Sequence, residues 1–155
     1  MSNFSDILVP ATVVAGMPVT SKKALFQQLA AIVEREVGLS ARTVVERLSD
    51  REKLGSTGFG GGVAIPHGKI EGLNQVIGVF VRLDEAIEFQ AIDDMPVDIV
   101  FMLLSPPDAG AEHLKALARV SRALRDKQFL AKLRGAGSTD ALFALLVTSE
   151  ARDAA

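Results

Sequence analysis

From Ser21 to Val37 the apolar residues Leu25, Leu29, Ile32 and Val33 recur at helical spacing, and Gly38 supplies a stop. Ser40 then reads as the N-cap of a second helix. Val44, Val45 and Leu48 form its apolar face and Gly55 closes it. The period changes in the middle of the chain. "VIGVFVRL" (Val76 to Leu83) and "VDIVFMLL" (Val97 to Leu104) are short, β-branched and almost wholly apolar, the pattern of strands buried on both faces. "AIEF" (Ala86 to Phe89) predicts a short strand between them, and "VAI" (Val63 to Ile65) predicts another that Pro66 ends. Helical spacing returns beyond Pro106 and Pro107. From Glu112 to Leu124, Leu114, Leu117, Ala118, Ser121 and Leu124 share one face; "KQFLAKL" and "TDALFALL" predict two more amphipathic helices. Helices, then strands, then helices imply a mixed α/β layer fold.

Composition narrows the function classes. No repeat, low-complexity linker or composition shift divides the 155 residues, so a single domain over 1–155 is expected, with 149–155 as a loose tail. Apolar residues make up 48% and charged residues 23%, and the net charge is −2. That balance offers no electrostatic reason for a nucleic acid or an anionic membrane as partner. Cysteine is absent, which excludes disulfides, thiolate chemistry and Cys-ligated zinc. No uncharged apolar run reaches the ~18 residues of a membrane span, because Pro10 and Pro18 break the uncharged stretch from Ile7 to Ser21. No basic stretch precedes it, so neither a signal peptide nor membrane insertion is expected, and the chain reads as cytoplasmic.

The candidate chemistry concentrates in "GFGGGVAIPHGKI", Gly58 to Ile70, which holds five of the thirteen glycines and one of the two histidines. Neither nucleotide motif fits. A dinucleotide fingerprint starting at Gly58 and Gly60 would need glycine where Val63 stands. A P-loop fails because five residues separate Gly62 from Gly68, and Ile70 follows Lys69. The glycines are then either a plain chain reversal or a close approach to some group. Pro66 fixes the backbone before His67, and Gly68 after it removes a side chain from the ring's surroundings. His67, placed at a strand end and partly neutral at physiological pH, heads the candidates for a nucleophile. His113 falls in the first turn of a helix, where unpaired amides attract anions, and shares a face with Leu117, Val120 and Leu124. It reads equally as a partly buried, satisfied histidine. Arg51 can grip phosphate oxygens in a planar fork, or can be a solvated charge late in a helix, and Lys69 has the same bland reading. A metal site would draw on His67, His113 and either Glu71 or Glu112, but no HExxH or other short ligand pair is present.

"REKLGSTGFGGGVAIPHGK" (Arg51 to Lys69), "DDMPVDIVFMLLSP" and "HLKALARVSRAL" together resemble the enzyme IIA domain of the fructose/mannitol type. That domain belongs to the bacterial phosphoenolpyruvate-dependent phosphotransferase system, and its stand-alone nitrogen-regulatory branch is the nearest match. The resemblance covers about Ser21 to Leu146. It implies a mixed β-sheet sandwiched between helices. It implies a phosphotransferase component in which His67 accepts a phosphoryl group, with His113 as the second active-site histidine and Arg51 beside the phosphoryl group. Ser56, Thr57, Gly68 and Lys69 would neighbour the phosphate. The glycines would let the chain pass the phosphohistidine and offer it backbone amides. No metal and no cofactor is implied. The implied donor is a histidine-containing phosphocarrier protein, with output to regulatory targets such as transporters or kinases. The alternatives are a sugar-transport enzyme IIA serving a separate IIB domain, a binding module that is never phosphorylated, and a metallohydrolase. Phe59, Ile70 and Leu73 are candidate docking residues. The family often has asparagine where this chain has Gly61, which predicts a looser loop.

Overall fold

The computed structural model describes residues 3–148. The tail expected at 149–155 lies outside them. Helix α1 (Lys22–Val37) starts at Ser21, whose hydroxyl accepts from the Ala24 amide, and ends at Gly38 in the left-handed conformation. Helix α2 (Ala41–Lys53) is capped by Ser40, as expected, and Leu54 rather than Gly55 follows its last residue. Strand β1 (Val13–Met17) was not legible in the sequence: it lies in the proline-broken uncharged stretch and bulges at Gly16, so it lacks a clean alternation. Strands β2 (Gly58–Gly60), β3 (Val63–Ala64) and β4 (His67–Lys69) follow α2. The long strands are β5 (Ile77–Ile87) and β6 (Val97–Ser105). Of the separate strand expected at Ala86 to Phe89, Ala86 and Ile87 are the end of β5, which runs without a break through an irregularity between Arg82 and Ile87, and Glu88 and Phe89 lie beyond it. Helices α3 (Gly110–Arg125), α4 (Lys127–Gly135) and α5 (Thr139–Val147) complete the described chain.

The six strands form one mixed sheet in the order β1-β5-β6-β3-β2, with β4 continuing beside β6 past the break at Pro66. β5 and β6 are antiparallel; β1 runs parallel to β5, and β3 and β4 parallel to β6. β6 is apolar from Ile99 to Leu104 because both of its faces are covered there. Val100, Met102 and Leu104 join the core beneath α1 and α2. Ile99, Phe101 and Leu103 join the core beneath α3, α4 and α5, where Phe4 is also fully buried. A mixed sheet between two helical layers is the architecture expected.

Of the two stripes read on α3, the one through His113 faces inward and the one through Leu114 does not. Leu114 is 67% exposed, Ala118 is exposed, and His113, Ala116, Val120, Ala123 and Leu124 are buried. A stripe through His113 fits 3.6-residue periodicity as well as one through Leu114. The sheet selects the former, because a buried partner waits for the histidine, as described next.

Candidate active site

Register along β6 assembles the site. Laterally paired strand residues point to the same side of a sheet. His67 pairs with Leu103 and Lys69 with Ser105, so all four belong to the face that carries α3. Gly68 pairs with Leu104 and belongs to the α2 face, where a Cβ would lie 3.4 Å from the Arg47 carbonyl oxygen. A side chain there would face α2 and not a partner approaching the ring. Pro66 carries no amide hydrogen, but its carbonyl accepts from Leu103, so the chain breaks between β3 and β4 while staying in register.

Two hydrogen bonds define the state of His67. Nδ1 lies 2.8 Å from the Ile65 carbonyl oxygen, which can only accept, so Nδ1 carries the proton. Arg51 Nε, which can only donate, lies 3.2 Å from Nε2, so Nε2 presents a lone pair. Both contacts select the same neutral tautomer. Arg51 reaches this ring from the opposite helical layer, and its second arm donates to the Gly55 carbonyl at 2.9 Å. Burial holds the His67 pKa below 6.5; the Ile65 bond opposes that shift, and the Arg51 cation adds to it.

The His113 ring lies 5.5 Å from the His67 ring, centroid to centroid, tilted by 53°. His113 is 7% exposed, and its Nδ1 is 2.6 Å from the Ser105 hydroxyl, which is fully buried. Burial again lowers its pKa, with His67 and the Lys69 ammonium contributing. His67, His113, Arg51 and Lys69 therefore converge, from β4, α3 and α2.

Ser56 and Thr57 have hydrogen-bond partners of their own. Thr57 donates through its amide and hydroxyl to Glu52, at 3.0 and 2.7 Å. The Ser56 hydroxyl donates to the Phe89 carbonyl and accepts from the Gly58 amide. The glycine turn is not a cradle for a group on His67. Val63, just after it, pairs with Ile99, whereas His67 pairs with Leu103, roughly 13 Å further along the strand. Gly60, Gly61 and Gly62 all have positive φ and reverse the chain between β2 and β3. Nor is the turn unsupported at Gly61: its amide donates to Asp93 at 3.0 Å and its carbonyl accepts from Arg134 at 2.9 Å. Of the candidate docking residues, Ile70 is buried, Leu73 packs partly buried against the core, and Phe59 sits under Arg125 in the distant hairpin. Among the described residues no three His, Asp or Glu side chains are grouped as a metal ion would need.

Sequence reasoning missed Glu52 and Ser105. Glu52 reads as one charge in a solvated run, yet its side chain is only 8% exposed and also holds Lys22 at 2.9 Å. Ser105 reads as the residue that ends a strand before two prolines. Its position as the next odd-numbered residue after Leu103 was the available signal, since period 2 turns it toward α3.

Comparison with known proteins shows the family. Residues 7–148 match the family described as "Phosphoenolpyruvate-dependent sugar phosphotransferase system, EIIA 2". The chain is 46% identical over 142 residues to a nitrogen regulatory protein of Bradyrhizobium diazoefficiens, spanning 92% of this chain and 93% of that one. The crystal structure of the nitrogen regulatory protein IIA-Ntr from Neisseria meningitidis superposes with a TM-score of 0.86 at 42% identity, covering 91% of this chain and 97% of that one. A complex of enzyme IIAMtl and phosphorylated enzyme IIBMtl from Escherichia coli shares the fold, with a TM-score of 0.75 at 22% identity over 90% of this chain and 96% of that one. No helix among the described residues is long and apolar enough to cross a membrane.

Proposed function

The chain belongs to the phosphoenolpyruvate-dependent sugar phosphotransferase system EIIA 2 family, and from that premise we propose that His67 accepts a phosphoryl group on Nε2 from a histidine-phosphorylated carrier protein. The observation that carries this reading is the pair of bonds on the His67 ring. The Ile65 carbonyl keeps the proton on Nδ1, and Nε2 meets an arginine with its lone pair.

The transfer is an in-line displacement. The Nε2 lone pair attacks phosphorus, the bond from phosphorus to the donor's ring nitrogen breaks, and its electron pair returns to the donor. Nδ1 keeps its proton and goes on donating it to the Ile65 carbonyl, which stabilises the positive charge that the ring gains on bonding phosphorus. Arg51 leaves Nε2 for the phosphoryl oxygens, a short movement for a guanidinium already anchored at Gly55. Lys69 adds positive charge, and the His113 ring stands beside the acceptor ring. Such a transfer rests on positioning and charge stabilisation and needs no metal or cofactor.

Two exposed leucines flank the residues that act. Leu54, 83% exposed, follows α2 close to Arg51, and Leu114, 67% exposed, follows His113. They replace Phe59, Ile70 and Leu73 as the apolar contacts for the carrier. The output is regulatory: phosphorylation adds nearly two negative charges to a surface that target proteins touch, so targets such as transporters or kinases bind one form and reject the other. The nitrogen regulatory names of the relatives support this over a sugar-transport role.

The test is incubation with phosphoenolpyruvate, the system's first enzyme and its carrier. Intact mass should rise by one phosphoryl group, labile in acid and stable in base. An unchanged mass with a matched carrier would overturn the reading.

A further inference from the structure

Ser105 ends in the site's interior. It is the last residue of β6, fully buried, on the face that carries α3. Its carbonyl accepts from the Ile70 amide, which ties it to the end of β4. Its hydroxyl has a single partner among the described residues, Nδ1 of His113, at 2.6 Å.

Donor accounting settles the direction of that contact. If His113 Nδ1 carried the proton and donated it, the serine hydrogen would be left in the interior without an acceptor. A buried hydroxyl whose hydrogen has no partner is disfavoured. If serine donates instead, both groups are satisfied, and Nδ1 must be the unprotonated nitrogen. The proton of neutral His113 then sits on Nε2. His113 is thereby the mirror of His67. One ring keeps its proton on Nδ1 and offers a lone pair from Nε2; the other has its lone pair taken up at Nδ1 and offers a proton from Nε2.

We propose that Ser105 is a positioning residue that locks His113 in the Nε2–H tautomer, so that His113 acts as a neutral hydrogen-bond donor to the phosphoryl group on His67. A free imidazole would spend part of its time in the other tautomer, with a lone pair facing phosphoryl oxygens and repelling them. The serine removes that state. The proposal rests on His67 as the phosphoryl acceptor, but the tautomer itself does not depend on any transfer.

Long-range proton–nitrogen NMR on the full, unphosphorylated chain reads the tautomer directly. Wild-type His113 should show a protonated Nε2 and an unprotonated Nδ1, and Ser105→Ala should show a mixture. Transfer from the phosphorylated carrier to Ser105→Ala should slow by about 10-fold or more, short of the ~10²–10³ for losing the donor outright. Ser105→Thr keeps the hydroxyl and should restore both tautomer and rate. In a His113→Ala background, Ser105→Ala should slow transfer no further, and this cycle decides the matter even if the threonine variant does not fold. A wild-type His113 protonated on Nδ1 would overturn the proposal. So would an unchanged tautomer in Ser105→Ala, or an equal slowing in the His113→Ala background. A wild-type chain that takes no phosphoryl group would remove the reading of His67, while the NMR spectrum would still decide between Ser105 and a freely tautomerising His113.

Discussion

The rings of His67 and His113 stand 5.5 Å apart, and each has its Nδ1 engaged by a neighbour, the Ile65 carbonyl for one and the Ser105 hydroxyl for the other. Only the Nε2 atoms remain for chemistry. The two rings are therefore unequal, and their variants should fail differently. His67→Ala removes the atom that forms the bond to phosphorus and should give no phosphoprotein at any time. His113→Ala keeps the acceptor, so labelling should be slower by ~10²–10³ yet reach completion with excess donor. A phosphorylation time course distinguishes them, with circular dichroism as the folding control. Labelling of His67→Ala together with none of His113→Ala would reverse the roles.

Arg51 donates to His67 and to Gly55 from a partly exposed position at the end of α2. Arg51→Ala should slow transfer on the order of 10²-fold and change stability by only about 0–1 kcal/mol. Arg51→Lys should recover little of the rate, since an ammonium cannot hold both contacts in one plane. A thermal melt beside the transfer assay separates the effects. A large fall in Tm would mean that the arginine is structural.

Burial depresses the pKa of both histidines below 6.5. The acceptor lone pair therefore persists as pH falls through 6.5, and single-turnover transfer from a pre-phosphorylated carrier should decline only at more acid pH. Stability follows the opposite side of the same linkage. Between the folded values and 6.5 the unfolded chain binds more protons than the native one, so stability falls as pH drops through this window, and the loss ends below the folded values. Melts across this range should show a shallower pH slope for His67→Ala combined with His113→Ala than for the wild type. An identical slope would remove the histidines as its cause.

Leu54 and Leu114 are exposed beside the reacting groups. Changing either to alanine should raise KM for the phosphorylated carrier about fivefold or more, the scale of a contact worth over ~1 kcal/mol, with kcat nearly unchanged. Ile92→Ala, also at an exposed apolar position, is the control and should leave KM as it is. Equal effects from all three would argue against a localised docking rim.

Gly58 and Gly68 should respond differently to a methyl group. At Gly58 a Cβ would lie 2.8 Å from the Ala91 Cβ and 3.0 Å from its Cα, so Gly58→Ala overpacks the core and should lower Tm on the order of 2–10 °C. At Gly68 the new Cβ would meet Arg47 at ordinary contact distance, and Gly68→Ala should melt within about 2 °C of the wild type. Melting curves of the two variants decide it.

By itself the sequence determined the layered fold, the principal helices and the two central strands. Each of these is a matter of local period and local caps: Ser21, Ser40, Gly38 and the unbroken apolar run of β6 act within a few residues of themselves. The Arg-Glu-Lys and Ile-Pro-His-Gly runs also singled out His67 and Arg51, because residue order alone carries a family likeness. What the tertiary structure decided is which groups meet. Nothing in the spacing of β4 and β6 says that Lys69 pairs with Ser105, and helical period alone lets α3 turn either the His113 stripe or the Leu114 stripe inward. Register and helix rotation depend on contacts between segments far apart in the chain. For the same reason the partners of Glu52 and Ser105 are not legible in the sequence, and the glycine turn, near the histidine in the chain, stands apart from it in space. Adjacency in sequence along a strand is distance in space, about 3.3 Å for each residue, whereas the two histidines, on separate elements, come together only because the sheet carries one and the helix packed against it carries the other.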